Sequence, residues 1–269
     1  MNIKKIFNVL SIAGSDPSGG AGIQADLKTF SALGVYGTTV ITTLTAQNTY
    51  GVQSIYPISA SCVDAQLESI FNDIHIHSIK IGLLSKANIV EIIIKKIIKY
   101  QIPWIVLDTV MIAKNGYKLV DKKALNIIKE KLIPLVSIIT PNLIEAALLL
   151  DGIPAKNEEQ IINQGKKLLS LGCKVVIIKG GHLLGPSSPD WFITQNQEIR
   201  ISSNRVNTKN THGTGCTLSA AIAAKIPYCK DWLQAFKEAK TWIYQTLINA
   251  NNLSIGKGSG PLHHFYKWW

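Results

Sequence analysis

The sequence predicts an α/β protein: a mostly parallel sheet covered by helices on both faces. Three observations carry that prediction. Short strand-like runs alternate with helix-like segments almost throughout the chain. The runs are continuously apolar, as strands buried on both faces must be. Glycine-rich, polar and charged residues fall just after those runs, where an α/β fold gathers its loops along the carboxyl edge of the sheet.

The elements follow in order. Asn8 to Ala13 reads as a strand that ends in a glycine-rich loop. Ile23 to Leu33 is a helix with Leu27, Phe30 and Leu33 on one side. A Thr/Val/Ile-rich strand lies within Val35 to Ala46. Cys62 to Phe71 is a helix with Val63, Leu67 and Ile70 on one face. Ser78 to Ile81 is a strand and Ala87 to Tyr100 a helix. Trp104 to Leu107 is a strand ending at Asp108, and Lys122 to Leu132 a helix. Val136 to Ile139 is a strand ending at Thr140-Pro141-Asn142. Glu158 to Leu171 is a helix, and Lys174 to Ile178 a strand ending at Lys179-Gly180-Gly181. Trp191 to Thr194 and Glu198 to Ser202 form a hairpin, and two helices follow at about 214–225 and 231–250. With no repeat, low-complexity tract or linker, residues 1–269 read as one domain.

Composition narrows the class. An apolar share of 46% with 17% charged residues supports a sizeable core. Ile89 to Tyr100, the most aliphatic stretch, carries Glu91, Lys95, Lys96 and Lys99, which excludes a membrane span. No apolar leader with a cleavage site follows Met1 to Lys5, so no secretory signal is expected. The four cysteines, Cys62, Cys173, Cys216 and Cys229, show no C-x-x-C spacing. That argues against a disulfide framework or zinc site and fits a reducing cytoplasm. The net charge of +11 is almost wholly lysine, with only Arg200 and Arg205 as arginines. The lysines are spread over helical segments, so a nucleic-acid partner is not expected, while the positive field suits anionic substrates.

The chemistry-bearing residues lie at strand ends. In Asn210-Thr211-His212-Gly213-Thr214-Gly215-Cys216, glycines free the backbone to aim its N–H groups at one point, and a helix start adds positive potential. This is an anion site, and there the thiolate of Cys216 is expected to be favoured. Gly14-Ser15-Asp16-Pro17-Ser18-Gly19-Gly20-Ala21-Gly22 is a glycine-rich loop without the P-loop spacing. Asp26 lies one helical turn beyond it, as either a site residue or a solvated helix residue. Gln47 presents an amide donor beside an acceptor, which suits the edge of an aminopyrimidine or simply a turn. Asp108 and Glu145 are candidate Mg²⁺ carboxylates, acting through water. Asn142 is a candidate phosphate contact or a helix cap. Lys179 can neutralise phosphate charge. His75-x-His77 and His263-His264 lack further ligands at metal spacing.

Taken together, these segments resemble the hydroxymethylpyrimidine and phosphomethylpyrimidine kinases of thiamine biosynthesis. The resemblance rests on Gly14 to Thr29, Ala46-Gln47-Asn48-Thr49, Lys80-Ile81-Gly82, Leu107-Asp108-Thr109-Val110-Met111, and Thr140-Pro141-Asn142-x-x-Glu145-Ala146. It extends through Lys179-Gly180-Gly181-His182, Asn210 to Cys216 and the tail Gly256 to Phe265. It implies a ribokinase-like three-layer α/β/α sandwich and two ATP-dependent phosphorylations. The first converts 4-amino-5-hydroxymethyl-2-methylpyrimidine to its monophosphate, and the second makes the diphosphate. The family pattern places Gly14, Ala21, Asp26, Gln47 and Val110 around the pyrimidine. It places Asn142, Lys179, Thr211, Gly213, Thr214 and Gly215 around the nucleotide phosphates, with Mg²⁺ at Asp108 and Glu145 through water. Cys216 stands where most ribokinase-like sugar kinases carry aspartate, so it is the expected base toward the substrate hydroxyl. Leu83 departs from the methionine common in relatives, and adjusted packing against the ring is expected there. The resemblance also implies a homodimer.

Other readings are a pyridoxal or pyridoxine kinase, a nucleic-acid-binding protein, and a non-catalytic family member. Retention of Asp108, Asn142, Glu145, Lys179 and Cys216 together argues against the last.

Overall fold

Successive side chains along a strand point to opposite faces of the sheet, and here both faces are apolar. In the computed structural model, which describes residues 5–112, 116, 119–181 and 183–269, each central strand feeds two cores. Leu10, Ile12, Ile79, Ile81, Leu107 and Ile139 pack on one face. Val9, Val106, Ile138, Val175 and Ile177 pack on the other.

The strands are β1 (Asn8–Ser15), β2 (Tyr36–Asn48), β3 (Gly51–Pro57), β4 (Ser78–Ile81), β5 (Trp104–Leu107), β6 (Ile138–Ile139), β7 (Val175–Lys179), β8 (Ser187–Ile193) and β9 (Glu198–Asn204). Among the described residues they form one nine-stranded sheet in the order β3-β2-β1-β4-β5-β6-β7-β8-β9. The run from β2 to β7 is parallel. Antiparallel strands extend it at both ends. The helices are α1 (Gly22–Ala32), α2 (Ala60–Asp73), α3 (Ala87–Tyr100), α4 (Lys122–Ile127), α5 (Leu143–Leu149), α6 (Glu158–Leu169), α7 (Thr214–Cys229) and α8 (Trp232–Ile248). This is the three-layer α/β/α architecture that the alternating pattern predicted.

Local chemistry explains the helix that matters most. Ala220, Ala221, Ala223 and Ala224 of α7 are fully buried, so small side chains let α7 lie close against the sheet. Its partners there include Ser78 of β4, whose hydroxyl donates to the Ala223 carbonyl at 2.6 Å. A helix held this tightly starts at a fixed place, and that start is the Gly213 turn.

Three expectations need correction. Strand β3 was not foreseen, because none of its residues is buried and its apolar signal is weak. The helix expected over Lys122–Leu132 is α4 only to Ile127; a π turn (Ile128–Leu132) and a 3₁₀ turn (Ile133–Leu135) follow. Pro134 lies in that last turn, where its missing N–H and its ring prevent a continued α-helix. Strand β6 is shorter than Val136–Ile139, because the Val136 N–H closes that turn onto the Ile133 carbonyl at 3.3 Å. Among the described residues, no helix is long and apolar enough to cross a membrane.

Candidate active site

A cleft of about 710 Å³ opens at the carboxyl ends of the parallel strands. The loop after β1, the end of β2, the residues after β5, β6 and β7, and the start of α7 all line it. Sequence segments far apart therefore meet at one edge, as an open α/β sheet requires.

The loop after β1 is organised by Asp16, which the sequence reading did not single out. Its carboxylate accepts from the backbone N–H of Ser18 (2.9 Å), Gly20 (3.2 Å) and Ala21 (2.8 Å), and from the Ser18 hydroxyl (2.7 Å). His212 Nε2 lies 2.8 Å from the same carboxylate. Burial alone would raise the Asp16 pKa; hydrogen bonds from His212 and Ser18 outweigh it and bring it down to about 2. The available sequence signal was an aspartate followed by Pro-Ser-Gly-Gly, a side chain placed to bond its own loop.

The 210–216 turn packs directly on that loop. Gly213 has φ +78°, and a Cβ there would fall 1.8 Å from the Gly20 carbonyl oxygen. Gly20 in turn leaves room for the His212 ring, since a Cβ would lie 2.4 Å from His212 Cδ2. The Gly213 carbonyl accepts the Thr217 N–H at 2.8 Å, which starts α7. The Thr214 hydroxyl donates to the Thr211 carbonyl at 2.8 Å. The Thr214 N–H reaches the Thr211 carbonyl at 3.4 Å, whereas the first-turn amides of Gly215 and Cys216 have no acceptor within the helix, the arrangement an anion site needs.

Cys216 lines the cleft, but its expected thiolate preference is not what the surroundings support. Burial pushes the thiol up to about 11, and the charges of Asp108 and Asp26 add to that. Lys80 and the Gly22 N–H pull the other way and do not prevail. The sequence reading counted the helix start and the positive groups but not the desolvation.

The residues expected at the nucleotide phosphates are interlocked. Lys179 Nζ donates to Asp108 Oδ1 at 3.0 Å and lies 3.8 Å from Glu145 Oε2. Burial alone would lower the Lys179 pKa, but Asp108 and Glu145 hold it above its ordinary value. The same ammonium would lie 3.2 Å from a Cβ on Gly215, so it sits against the first turn of α7. Thr140 donates to Asp108 Oδ1 at 3.2 Å. Burial opposes ionisation of Asp108, yet Lys179 and Lys80 keep its pKa below the usual value. Asp108 Oδ2 is buried without a hydrogen-bond partner among the described residues.

Asn142 is a helix cap: its Oδ1 accepts the N–H groups of Ile144 and Glu145, both at 2.9 Å. Glu145 completes the capping box by accepting the Asn142 N–H at 2.8 Å. Burial lifts the Glu145 carboxyl to about 7, with Lys179 opposing and Asp108 reinforcing the rise.

Lys179 thus stands between the two proposed metal carboxylates. Among the described residues, no group of three His, Cys, Asp or Glu side chains is placed to hold a metal ion. The donors fit a cation held mainly by phosphate and water. The unpartnered Asp108 Oδ2 is the protein oxygen best placed to meet its shell.

Of the residues expected around the pyrimidine, Gly14, Ala21, Gln47, Leu83 and Val110 all line the cleft. A Cβ on Gly14 would touch Leu83 Cδ2 at 3.5 Å, an ordinary contact. The Gln47 carboxamide lies between two partners: one end is 3.0 Å from His212 Nε2 and the other 3.3 Å from Thr45 Oγ1.

Asp26 needs correction as a substrate contact. It is fully buried on α1, where Lys80 Nζ donates to both of its oxygens at 2.9 and 2.8 Å and Ser11 Oγ donates at 2.5 Å. Its influence reaches the cleft through Lys80, which does line it. His182 lies outside the described residues. His77 is a structural histidine whose Nδ1 accepts the Asn8 N–H at 3.1 Å, and His264 Nε2 meets the Thr217 hydroxyl at 3.0 Å.

Residues 16–263 match the phosphomethylpyrimidine kinase family. The hydroxymethylpyrimidine/phosphomethylpyrimidine kinase of Salmonella typhimurium is 54% identical over 263 residues, covering 98% of this chain and 99% of that one. The crystal structure of phosphomethylpyrimidine kinase from Clostridium difficile matches with a TM-score of 0.78 at 40% identity, covering 89% of this chain and 98% of that one. An ADP complex of Bacillus subtilis pyridoxal kinase matches with a TM-score of 0.90 at 34% identity, covering 97% and 98%.

Proposed function

The chain belongs to the phosphomethylpyrimidine kinase family, and we propose that its cleft is where the two phosphorylations of the pyrimidine take place. The protein is an ATP-dependent kinase of thiamine biosynthesis. It converts 4-amino-5-hydroxymethyl-2-methylpyrimidine to the monophosphate and then to the diphosphate. The observation that carries the placement is the convergence of an amide-lined helix start with Gln47 and Lys179 in a single cleft.

The residues divide the work. Gln47, Gly14, Ala21, Leu83 and Val110 seat the pyrimidine ring. The 211–216 turn and Lys179 hold the nucleotide phosphates, with the Asn142 side chain lining the same cleft. Phosphoryl transfer passes through a loose transition state, so positioned donors do most of the work. A magnesium ion, when bound with the nucleotide, would draw charge from the phosphates, with Asp108 and Glu145 meeting its water shell. In the first step the hydroxymethyl oxygen attacks the γ-phosphorus and ADP leaves. The hydroxyl proton passes to Cys216 in the minor thiolate fraction that its raised pKa leaves. In the second step the acceptor is already an anionic phosphate and needs no base.

Incubation with Mg·ATP and either the hydroxymethylpyrimidine or pyridoxine, followed by separation of mono- and diphosphates, tests this reading. Formation of the pyrimidine diphosphate is expected. Phosphorylation of pyridoxine alone would overturn it in favour of a pyridoxal kinase, the activity of the structural neighbour with a TM-score of 0.90. We further propose a homodimer in the cytoplasm. Exposed Tyr36 and Leu44 of β2 and Tyr56 of β3 offer an apolar edge for a second copy, and all four cysteines are free, as a reducing compartment allows. Light scattering at micromolar concentration checks the assembly.

A further inference from the structure

A glutamine is an ambiguous reader of a ring edge. Rotating its amide by half a turn exchanges donor and acceptor, so a free glutamine accepts an aminopyrimidine and the corresponding oxo compound alike. The surroundings of Gln47 remove that freedom.

The argument starts at Asp16. Its carboxylate is ionised and can only accept, and its Oδ2 already collects the N–H groups of Gly20 and Ala21. The atom 2.8 Å away, His212 Nε2, must therefore carry a proton. A protonated ring nitrogen has no lone pair to offer. The Gln47 amide group 3.0 Å from it is placed as the nitrogen, which finds no acceptor there, so the amide is assigned the exchanged way round, with its carbonyl oxygen sharing the Nε2 proton with Asp16. The opposite end is settled independently. Thr45 has one hydroxyl proton, and it goes to the Ser15 carbonyl at 2.9 Å. The Gln47 oxygen placed 3.3 Å from that hydroxyl competes for the same proton at longer range, so the exchanged amide, which turns its NH₂ group to the hydroxyl oxygen, satisfies both ends. The reverse orientation would oppose two donors at His212 and two acceptors at Thr45. The His212 ring cannot drift to relieve this, because it is seated against Gly20.

We propose that His212, with Thr45, is a positioning residue that locks the Gln47 amide in one orientation and so makes the cleft select a 4-amino over a 4-oxo pyrimidine. This rests on the reading that Gln47 meets the pyrimidine. Locked, Gln47 turns one oxygen lone pair and one N–H toward the cleft. The oxygen takes the exocyclic amino donor, and the N–H serves the adjacent ring nitrogen. A 4-oxo ring presents a carbonyl beside a ring N–H, which is the opposite pattern. It fits only if the amide flips, and a flip breaks both contacts at once. A residue of the nucleotide turn thereby sets the choice of acceptor.

The test compares kcat/KM, at saturating Mg·ATP, for the amino substrate and its 4-oxo counterpart. Wild type is compared with His212→Ala, His212→Gln, Thr45→Val and Gln47→Glu. General damage to the site lowers both acceptors and leaves their ratio unchanged. Release of the amide lowers the amino-to-oxo ratio, by roughly ten-fold for one misplaced hydrogen bond. That fall is expected in His212→Ala and Thr45→Val, with His212→Gln, which keeps an N–H donor, retaining more of the ratio. An unchanged ratio in both His212→Ala and Thr45→Val, with Gln47→Glu altering it, would overturn the lock while leaving Gln47 as the ring reader. An unchanged ratio in Gln47→Glu would remove Gln47 from ring recognition and overturn both readings. Thr45→Val keeps the test open if His212→Ala does not fold.

Discussion

Lys80 Nζ stands 2.8 Å from Asp26 Oδ2, and neither side chain is exposed to solvent. Burial alone would lower the Lys80 pKa, but Asp26, Cys216 and Asp108 hold it above its ordinary value, so the ammonium stays charged. A buried pair gains little over apolar packing, yet removing one partner strands the other charge. Lys80→Met and Asp26→Leu should each cost about 3–5 kcal/mol of unfolding free energy. The double variant should recover most of it, because no lone charge remains. Urea denaturation measures all three. Single variants within about 1 kcal/mol of wild type would show that water reaches the pair.

Cys216→Ala should lower the first phosphorylation by about 10²–10⁴-fold and the second far less, because only the first acceptor is a hydroxyl. With the thiol at about 11, the thiolate fraction grows with pH throughout the neutral range. The first step should therefore quicken about ten-fold per pH unit from 7 to 9, and Cys216→Ala should abolish the rise. A flat wild-type profile in single-turnover assays would exclude proton transfer to the thiolate and leave Cys216 a positioning role.

Glu145 gives a signed pH effect on stability. Its carboxyl is lifted from 4.5 to about 7, chiefly by burial. Between those values the folded protein holds a proton that the unfolded chain has released. Stability from this group is complete below pH 4.5 and is lost as pH rises through 7, by up to about 3 kcal/mol. Glu145→Gln keeps the capping box, since glutamine serves at that position. The variant should gain stability relative to wild type on going from pH 5 to pH 8. Parallel pH dependences of the two melting temperatures would contradict the burial argument.

Gly213→Ala should abolish both phosphorylations. The residue combines φ +78° with a Cβ position 1.8 Å from the Gly20 carbonyl oxygen, so neither backbone conformation nor space admits a methyl group. Titration with ADP, followed by calorimetry, should show nucleotide affinity reduced at least ten-fold, and native-like affinity would refute the close packing.

Much of this was legible in sequence because strand ends mark the carboxyl edge. Asp108, Asn142 and Lys179 each follow an apolar run, the Gly213 turn opens a helix, and all line the cleft. What escaped depends on distance in space. Asp26 appeared to face the substrate because it follows the glycine loop by one turn; only the fold shows Lys80, from β4, taking both of its oxygens. The Cys216 thiol appeared acidic because a helix start is visible in sequence, whereas the enclosure that outweighs it is not. Asp16 was hidden for the opposite reason. Its partners are mostly backbone N–H groups, and these have no letter in the sequence.

The contact between Gly213 and Gly20 bears on redesign of this scaffold. The loop after β1 and the turn before α7 are nearly two hundred positions apart, yet they share a surface with no spare volume. An attempt to transplant a foreign glycine loop, as a way of changing the acceptor, would import a carbonyl aimed at the host turn. The smallest exchangeable module is therefore discontinuous: both segments must travel together from one donor protein. Chimeras that move either alone should fail by collision, and a library that diversifies the two jointly is the route to new acceptors.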